Sequence, residues 1–395
     1  MNSPQDEKLR AVVEAFEAAD DAYHDAPATI FGSESERKRQ LFAHFRRGRK
    51  LWERIGLCMY RGCGNTAVPR SHSIHRAGSI EHIAEQQHVL TPVFHDGEMT
   101  LKRVGVYDAS TFRGFCESHE QLFSSFEQAG KITNHRQIAL QAFRSVCREI
   151  ARKRTDLENI QRAHAEIREA RLRHFKTAVE IFPDIKVESL TYEGHAPEER
   201  VVSAIEQCKA DLKELDDIYD ELFQYIETGN PEPCVSALDI RMEFPVSLSG
   251  LGVLRYRDDT GEHRALCLLG VLPQEHHSLT FMSAARRHCD AVWVYINKMQ
   301  FGFGALNAIE SWMVNGSDHW FIRPSAWEKI PESRRAKVCA ALLSAEYNIG
   351  SDADFSILDD ARRWMMRYVE KHLSETDDTD AALERLKIEA AKLSD

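Results

Sequence analysis

Two pairs of metal-ligating residues, far apart in the chain, give the clearest chemical signal in this sequence. Cys58 and Cys63 flank a short loop that contains Gly62, and Cys116 and His119 form the second pair. Thiolate sulfur and imidazole nitrogen are ligands that zinc prefers, and structural zinc sites hold four of them in a tetrahedron. We therefore predict a Cys3His zinc site. The alternative is that Cys58 and Cys116 are small buried hydrophobic residues and that His119 lies on the surface.

Positive charge is concentrated just before and within this stretch. Between Arg37 and Arg76 the only acidic residue is Glu53, whereas the whole chain of 395 residues carries a net charge of −11. A local basic face of this kind is compatible with binding to phosphates even in an acidic protein. The candidate phosphate contacts are Arg46, Arg47, Arg49, Lys50, Arg70 and Arg76. The alternative is an ordinary solvated helix face.

The surrounding periodicity predicts an α+β protein in five segments. Apolar residues recur at helical spacing over 5–25 and 35–55, and strands are expected over 88–94 and 98–106, with a helix beginning near Cys116. Two long helices, 134–181 and 197–228, form a predicted hairpin. The expected segments are basic N-terminal helices (1–57), a treble-clef zinc module (58–130), the long helical hairpin (131–230), a mixed α/β domain (234–345), and a C-terminal helix with an acidic tail (346–395).

Composition excludes several classes of protein. No apolar run is long enough for a transmembrane helix, and the N-terminus has no apolar signal core, so we expect a cytoplasmic protein with no membrane partner. Nine cysteines in 395 residues are too few for a disulfide scaffold, and we expect reduced thiols with a few recruited for metal. The acidic tail is expected to be solvated. No P-loop, dinucleotide fingerprint or nucleophile elbow occurs.

The zinc module resembles the HNH-type treble clef, in which a histidine between two zinc-binding elements acts on a phosphodiester. The residues that carry this resemblance are Gly64-Asn65, Ser71-His72-Ser73-Ile74, Ile83-Ala84, Ala109-Ser110-Thr111-Phe112, Phe115-Cys116 and His119. It covers roughly residues 55 to 130 and is similar to that of uncharacterised bacterial proteins. Several bacterial proteins with such modules act in defence against phage, and the resemblance implies that association here.

The resemblance implies catalytic roles for particular residues. His72 would deprotonate a water molecule, and a Mg2+ or Mn2+ ion would stabilise the leaving oxygen. A second nitrogen for that ion is expected from His75, His82 or His88, and Asn65 is expected to orient His72. HNH enzymes commonly carry an acidic residue beside the histidine, but this chain has Ser71 there and no acidic residue between Cys63 and Ile80. A structural, phosphate-contacting or zinc-site role for His72 therefore stays open.

Two functions from different classes follow. The first is a zinc-containing nucleic-acid-binding protein, acting on DNA or RNA as a metal-dependent endonuclease. The second is a non-enzymatic interaction protein in which zinc only folds the module. In that case the helical hairpin and the C-terminal domain would bind a protein partner or another copy of the chain.

Overall fold

The computed structural model of this protein describes residues 10, 14, 52–54, 56–95, 98–180, 198–344, 348–373 and 379–394. Helices and antiparallel sheets both occur, so the expected α+β class is confirmed. The predicted helices over 5–25 and 35–55 lie almost entirely outside the described residues. No helix among the described residues is long and apolar enough to cross a membrane.

Two sheets organise the described part of the chain. A small sheet pairs β1 (Ser71–His72) with β4 (Thr111–Phe112) in antiparallel register, with His72 opposite Thr111. The larger sheet has the order β3-β2-β9-β6-β7-β8-β5, and all neighbours are antiparallel. Its strands are β2 (His88–His95), β3 (Glu98–Gly105), β5 (Val235–Ile240), β6 (Val246–Asp258), β7 (Gly261–Gln274), β8 (His277–Ser283) and β9 (Trp320–Ile322).

The strands expected from the sequence over 88–94 and 98–106 are confirmed as β2 and β3, but their position was not foreseen. Leu90 of β2 pairs with Ile322 of β9, so this hairpin extends the sheet of the C-terminal region. The predicted segments 58–130 and 234–345 therefore share one seven-stranded sheet.

The helices fall into three groups along the chain. Short turns surround the predicted zinc ligands, namely a π-turn (Arg76–Ile80), α1 (Glu81–Ile83), α2 (Glu117–Glu120), a 3-10 turn (Gln121–Phe123) and α3 (Ser124–Glu127). The two long helices are α4 (His135–Glu180) and α5 (Glu198–Thr228), as the sequence predicted. The C-terminal helices are α6 (Cys289–Lys298), α7 (Gly304–Ser311), α8 (Pro324–Glu328), α9 (Glu332–Ser344), α10 (Asp359–Lys371) and α11 (Thr379–Ala391).

Contacts divide the chain into two compact units that do not follow the five linear segments. One consists of Met1–Arg54 and Arg152–Leu212, and the other of Ile55–Ala151 and Lys213–Asp395. Within the first, Lys153 of α4 pairs with Asp211 of α5 through atoms 2.7 Å apart. The second contains the predicted zinc ligands and the whole seven-stranded sheet.

The central strands of the large sheet are buried on both faces. Alternate residues of β7, including Cys267, Leu269 and Val271, join a hydrophobic cluster with the C-terminal helices. Because successive side chains of a strand point to opposite faces, Ser249 of β6 points away from that cluster. Its hydroxyl lies 2.8 Å from the Ser145 hydroxyl of α4. Helices thus cover both sides of the sheet.

Three expectations about the C-terminal region are settled or corrected by the structure. The sequence of residues 289–296 is compatible with either a strand or a helix, and the structure shows that these residues form most of α6. Composition predicted reduced thiols, but Cys234 and Cys289 form a disulfide, so that expectation is wrong for these two residues. The tail was expected to be solvated, but Glu389 of α11 is fully buried against Arg362 of α10.

Candidate metal centre

A tight loop brings the first pair of predicted ligands together. Leu57 and Thr66 form an antiparallel bridge, and the Cys58 amide donates to the Asn65 carbonyl at 2.8 Å, which closes the loop. Gly62 adopts a φ of +78°, a conformation that costs little only for glycine. The two thiols, Cys58 and Cys63, can therefore point to the same side of the loop.

The second pair lies at the start of a helix, as the sequence predicted. Cys116 is the N-cap of α2, and its carbonyl accepts the amides of His119 and Glu120 at 3.0 and 2.9 Å. One helical turn therefore separates Cys116 from His119. The Val68 amide donates to the Phe115 carbonyl at 2.7 Å, which holds this helix start beside the first loop.

The four side chains converge as a zinc ion requires. The ligand atoms of Cys58, Cys63, Cys116 and His119 all lie within 4.8 Å of one another. The Cys63 and Cys116 sulfurs are 3.8 Å apart, and His119 Nδ1 lies 3.4 Å from the Cys58 sulfur and 3.2 Å from the Cys116 sulfur. Zinc–sulfur bonds of about 2.3 Å in a tetrahedron place two sulfurs about 3.8 Å apart, so the donor set fits a tetrahedral metal. Among the described residues, this is the one group of at least three such side chains arranged to hold an ion.

The pKa values of the two buried thiols in the cluster are shifted in opposite directions in the metal-free protein. Burial raises the pKa of the Cys58 thiol to about 11. Burial also acts to raise the pKa of Cys116, but hydrogen bonds from the His119 backbone and ring, and from the neighbouring thiols, bring it to about 6. Metal ligation requires deprotonated sulfur, so loading the site releases protons.

An aromatic stack that the sequence did not reveal supports the histidine ligand. The Tyr60 ring lies parallel to that of His119 with centroids 4.0 Å apart, and the Tyr60 hydroxyl donates to Glu227 of α5. The Tyr219 hydroxyl of α5 donates to the Met59 carbonyl at 2.7 Å and accepts the Arg61 amide at 3.0 Å. The C-terminal part of α5 thus fixes the loop that carries Cys58 and Cys63.

Ser71, which occupies the position of the acidic residue common in HNH enzymes, has a structural role here. Its side chain is fully buried, and its hydroxyl accepts the Phe115 amide at 3.0 Å and the Gly114 amide at 3.3 Å. A carboxylate could accept the same bonds only by burying a charge. A neutral hydroxyl at position 71 therefore suits these two backbone donors.

His72 lies on β1, half-buried, with one ring nitrogen held. Its Nδ1 is 3.0 Å from the Ala109 carbonyl oxygen and 3.3 Å from the Ser110 hydroxyl. Because a carbonyl oxygen can only accept, Nδ1 carries the ring proton and Nε2 keeps its lone pair. Burial, aided by the positive charges of Arg144 and Arg76, lowers the pKa of His72 to about 4, so the ring is neutral at pH 7.

Two of the residues expected to assist His72 make other contacts in the structure. Asn65 was expected to orient His72, but its amide nitrogen instead donates to the Cys116 sulfur at 3.9 Å. His75 was expected to supply a nitrogen to a divalent ion, but it is buried, its ring packs edge-on against Phe126, and its Nε2 lies 3.5 Å from the Glu127 carbonyl. Neither contact involves His72, and the expected roles of both residues stay predictions.

The structure places two acidic residues of the following helices around Arg144, and one of them, Glu127, acts electrostatically on His72. Glu120 and Glu127 both pair with the buried guanidinium of Arg144, at 3.3 and 2.8 Å. Arg144 also lies over the Phe123 ring, 3.9 Å from its centroid. Since one cation already holds both carboxylates, they do not form a ready site for Mg2+ or Mn2+.

The predicted phosphate-binding residues fall into two sets. Arg46, Arg47, Arg49 and Lys50 lie outside the described residues. Arg70 and Arg76 flank β1, where Arg70 pairs with Asp108 at 3.1 Å and Arg76 with Glu81 at 3.2 Å. Such solvent-exposed pairs are weak, so a phosphate can compete for both cations.

Comparison with known proteins gives no relative for this chain. No protein-family description, curated protein or solved structure matches it. The functional argument therefore depends on the geometry of its own residues.

Proposed function

We propose that this protein is a zinc-containing, nucleic-acid-binding protein in which His72 acts as general base on a phosphodiester bond. The observation that carries the proposal is the hydrogen bond from His72 Nδ1 to the Ala109 carbonyl. It fixes the tautomer in which Nε2 can accept a proton from water. In this proposal the Cys3His group holds a structural zinc ion. The ion connects the loop that precedes β1 to the helix start that follows β4.

The surroundings of His72 suit a phosphodiester substrate. Arg70 and Arg76 lie on either side of the histidine in sequence, in positions to attract phosphate oxygens. The pKa of His72, near 4 in the free protein, is too low for an efficient base at neutral pH. A bound phosphate would offset the positive charge of Arg76 and Arg144 and raise that pKa toward neutrality.

Cleavage assays with a histidine variant test the catalytic part of the proposal. Purified protein is incubated with single- and double-stranded DNA and RNA, with Mg2+ or Mn2+ added in separate reactions. His72→Ala should abolish cleavage and leave the zinc content unchanged, whereas His277→Ala on β8 should match wild type. Retained cleavage by His72→Ala would remove His72 as the base.

A non-enzymatic function is the second candidate, and a specific contact favours it. Arg144 pairs with both nearby carboxylates, and the Ser71 hydroxyl accepts two backbone amides, so these polar groups have partners within the chain without an added ion. On this reading zinc folds the region and the protein binds a protein partner or another copy of itself. Wild-type protein that contains stoichiometric zinc, yet cleaves nothing with either ion, would support it.

Antiphage defence belongs to the proposal through the HNH resemblance alone. If the nuclease acts against phage, wild-type protein expressed in a bacterial host should lower phage plating efficiency. The His72→Ala variant, at equal expression, should restore plating. Equal plating with both would separate the proposed chemistry from that biological role.

A further inference from the structure

Helix α10 carries two parallel rows of side chains that no part of the proposed site uses. The aromatic row is Trp364, Tyr368 and His372, and the cationic row is Arg363, Arg367 and Lys371. Residues four apart on a helix lie one above another on the same face. The two rows therefore run side by side along α10, with His372 just beyond its last turn.

The aromatic row is ordered and open to solvent. The Trp364 and Tyr368 rings are nearly parallel, with centroids 5.6 Å apart, and Tyr368 and His372 centroids are 4.3 Å apart. His372 Nδ1 donates to the Tyr368 carbonyl at 2.7 Å, which fixes the last ring. Trp364 and Tyr368 are 48% and 51% exposed. Exposed large rings in fixed positions leave apolar area that a ligand can cover.

Most of the positive charge in the cationic row is not used in ion pairs with the described residues. Arg367 and Lys371 form no ion pair with any residue in the part of the chain that the structure describes. Arg363 lies 3.8 Å from Asp359, but that carboxylate is already held by the buried Arg334. The positive charge of this row is therefore available to an anion.

A cavity of about 530 Å3 opens beside Trp364 and continues the same chemistry. Two arginines lie on its wall: Arg241 has no ion-pair partner among the described residues, and Arg323 has no direct ion pair there but interacts at longer range with Glu85. Its acidic residues already have partners. Asp360 pairs with Lys329 of the same wall, Asp359 pairs with Arg334, and a Glu243 oxygen accepts the His276 amide at 2.6 Å. The volume lies within the range of small-ligand pockets and suits one nucleotide stacked on the outer face of Trp364.

We infer that this face of α10, with the cavity beside Trp364, binds single-stranded nucleic acid. Unpaired bases stack on exposed aromatic rings, and cations beside those rings follow the phosphates. A duplex hides its base faces and would leave the rings uncovered. The centre of a protein–protein interface is depleted of charge, whereas unpaired cations border these rings along the helix. The inference extends the proposed nucleic-acid function but does not depend on His72.

Binding of fluorescein-labelled oligonucleotides to the full-length protein tests this surface. Fluorescence anisotropy is measured with dT20 and U20 in separate titrations, without added divalent ions, so that cleavage does not interfere. The double variant Trp364→Ala/Tyr368→Ala should raise the Kd at least about tenfold, since each stacked base contributes roughly 1–3 kcal/mol. Trp293→Ala is the matched control, because Trp293 is 62% exposed on α6. Its Kd should equal that of wild type.

The dependence of affinity on salt tests the cationic row separately. Each phosphate contact on a single strand contributes about 0.7 to the slope of log K against log salt. Arg367→Ala/Lys371→Ala should therefore reduce that slope by about 1.4. Lys387→Ala, an exposed lysine of α11, should leave it unchanged. A preference for dT20 or U20 would identify DNA or RNA as the strand bound.

Two results would overturn the inference. The first is wild-type affinity in Trp364→Ala/Tyr368→Ala, which would place any nucleic-acid contacts elsewhere while leaving the His72 proposal intact. The second is no binding of either oligonucleotide, with a concentration-dependent dimer in light scattering that Trp364→Ala abolishes. That outcome would show that another copy of the chain covers the rings. Loss of cleavage in His72→Ala is measured independently of both.

Discussion

The Cys3His cluster and the buried charge cluster beneath α11 both gather polar side chains in the interior, but in opposite ways. At the first, three thiols and an imidazole, all potential ligands, face one another within 4.8 Å. At the second, Arg362 lies between the carboxylates of Glu310 and Glu389, and all three side chains are fully buried. Only the second cluster supplies cations from its own side chains, namely Arg362 and Arg385, which pairs with Glu389 at 2.8 Å.

The charge cluster is satisfied by the chain itself. One oxygen of Glu310 accepts the amides of Ile357 and Leu358 at 2.8 and 2.9 Å, and Arg362 also donates to Asn307 at 3.1 Å. The Cys3His cluster has no cation of its own. Metal ligation requires deprotonated sulfurs, and at these distances such sulfurs repel one another unless a cation lies between them. The charge cluster is completed by α11, whereas the Cys3His cluster would be completed by the metal ion of the proposal.

Cys116→Ala should have the largest effect, because it removes a ligand from the cluster that depends on a metal. Structural zinc contributes about 10–16 kcal/mol of folding free energy in zinc-finger peptides. We therefore expect loss of the bound metal and a decrease of more than about 10 °C in the Tm of the metal-binding region. Elemental analysis and calorimetry measure the two effects. Cys339→Ala, outside the cluster, should keep both wild-type values. If elemental analysis finds no metal in the purified, folded wild-type protein, the Cys3His cluster does not depend on an added ion and the contrast with the charge cluster is wrong.

Arg362→Met should have the next largest effect, because it leaves the buried Glu310 carboxylate without a cation and Glu389 with only Arg385. Breaking a buried pair from one side costs about 3–5 kcal/mol in the free energy of unfolding. Urea denaturation measures the loss. Arg385→Ala removes a cation that is partly exposed and pairs with the same Glu389, so it should cost less than about 1 kcal/mol. Equal losses in the two variants would contradict the self-sufficient cluster.

Ser71→Ala should destabilise the metal region by a smaller amount. It removes the acceptor for the buried amides of Gly114 and Phe115, which precede Cys116. An unsatisfied buried donor costs about 1–3 kcal/mol. Urea denaturation of the zinc-loaded protein measures the loss. Ser124→Ala, whose exposed hydroxyl donates to the Gln121 carbonyl, is the control with little expected change.

The smallest expected effect is a pH dependence of stability due to His75. Burial, together with the charges of Arg144 and Arg76, lowers its pKa to about 4, while Glu127 acts in the opposite direction. Below its ordinary pKa the unfolded state binds the proton more readily, so this stabilisation is lost as pH falls from about 6.5 toward 4. At pH 5.5 the loss is about 1 kcal/mol relative to pH 7.5.

The matched variant for this effect is His75→Gln, since an amide can still donate to the Glu127 carbonyl. Urea denaturation gives the free energy of unfolding of each protein. The difference in that free energy between wild type and His75→Gln should fall by about 1 kcal/mol between pH 7.5 and 5.5. Metal release at low pH affects both proteins alike. A constant difference across the two pH values would exclude His75 as the source.

The sequence by itself determined the ligand set and most of the regular structure. Cys58, Cys63, Cys116 and His119 were identifiable because a tight loop and a helix start are local features, encoded by Gly62 and by one-turn spacing. The long helices and the β2–β3 hairpin followed from periodicity for the same reason. Such patterns need only neighbouring residues.

Only the tertiary structure decided what those ligands and His72 touch. The Ala109 carbonyl that fixes His72, and the α4 residue Arg144 that holds both carboxylates, are distant in the chain from the residues they contact. The partner of β2, strand β9, lies in the C-terminal region, and Glu389 of α11 is buried against Arg362 of α10. Strand pairing and buried charge balance depend on which surfaces meet in the folded chain. No local periodicity records that choice.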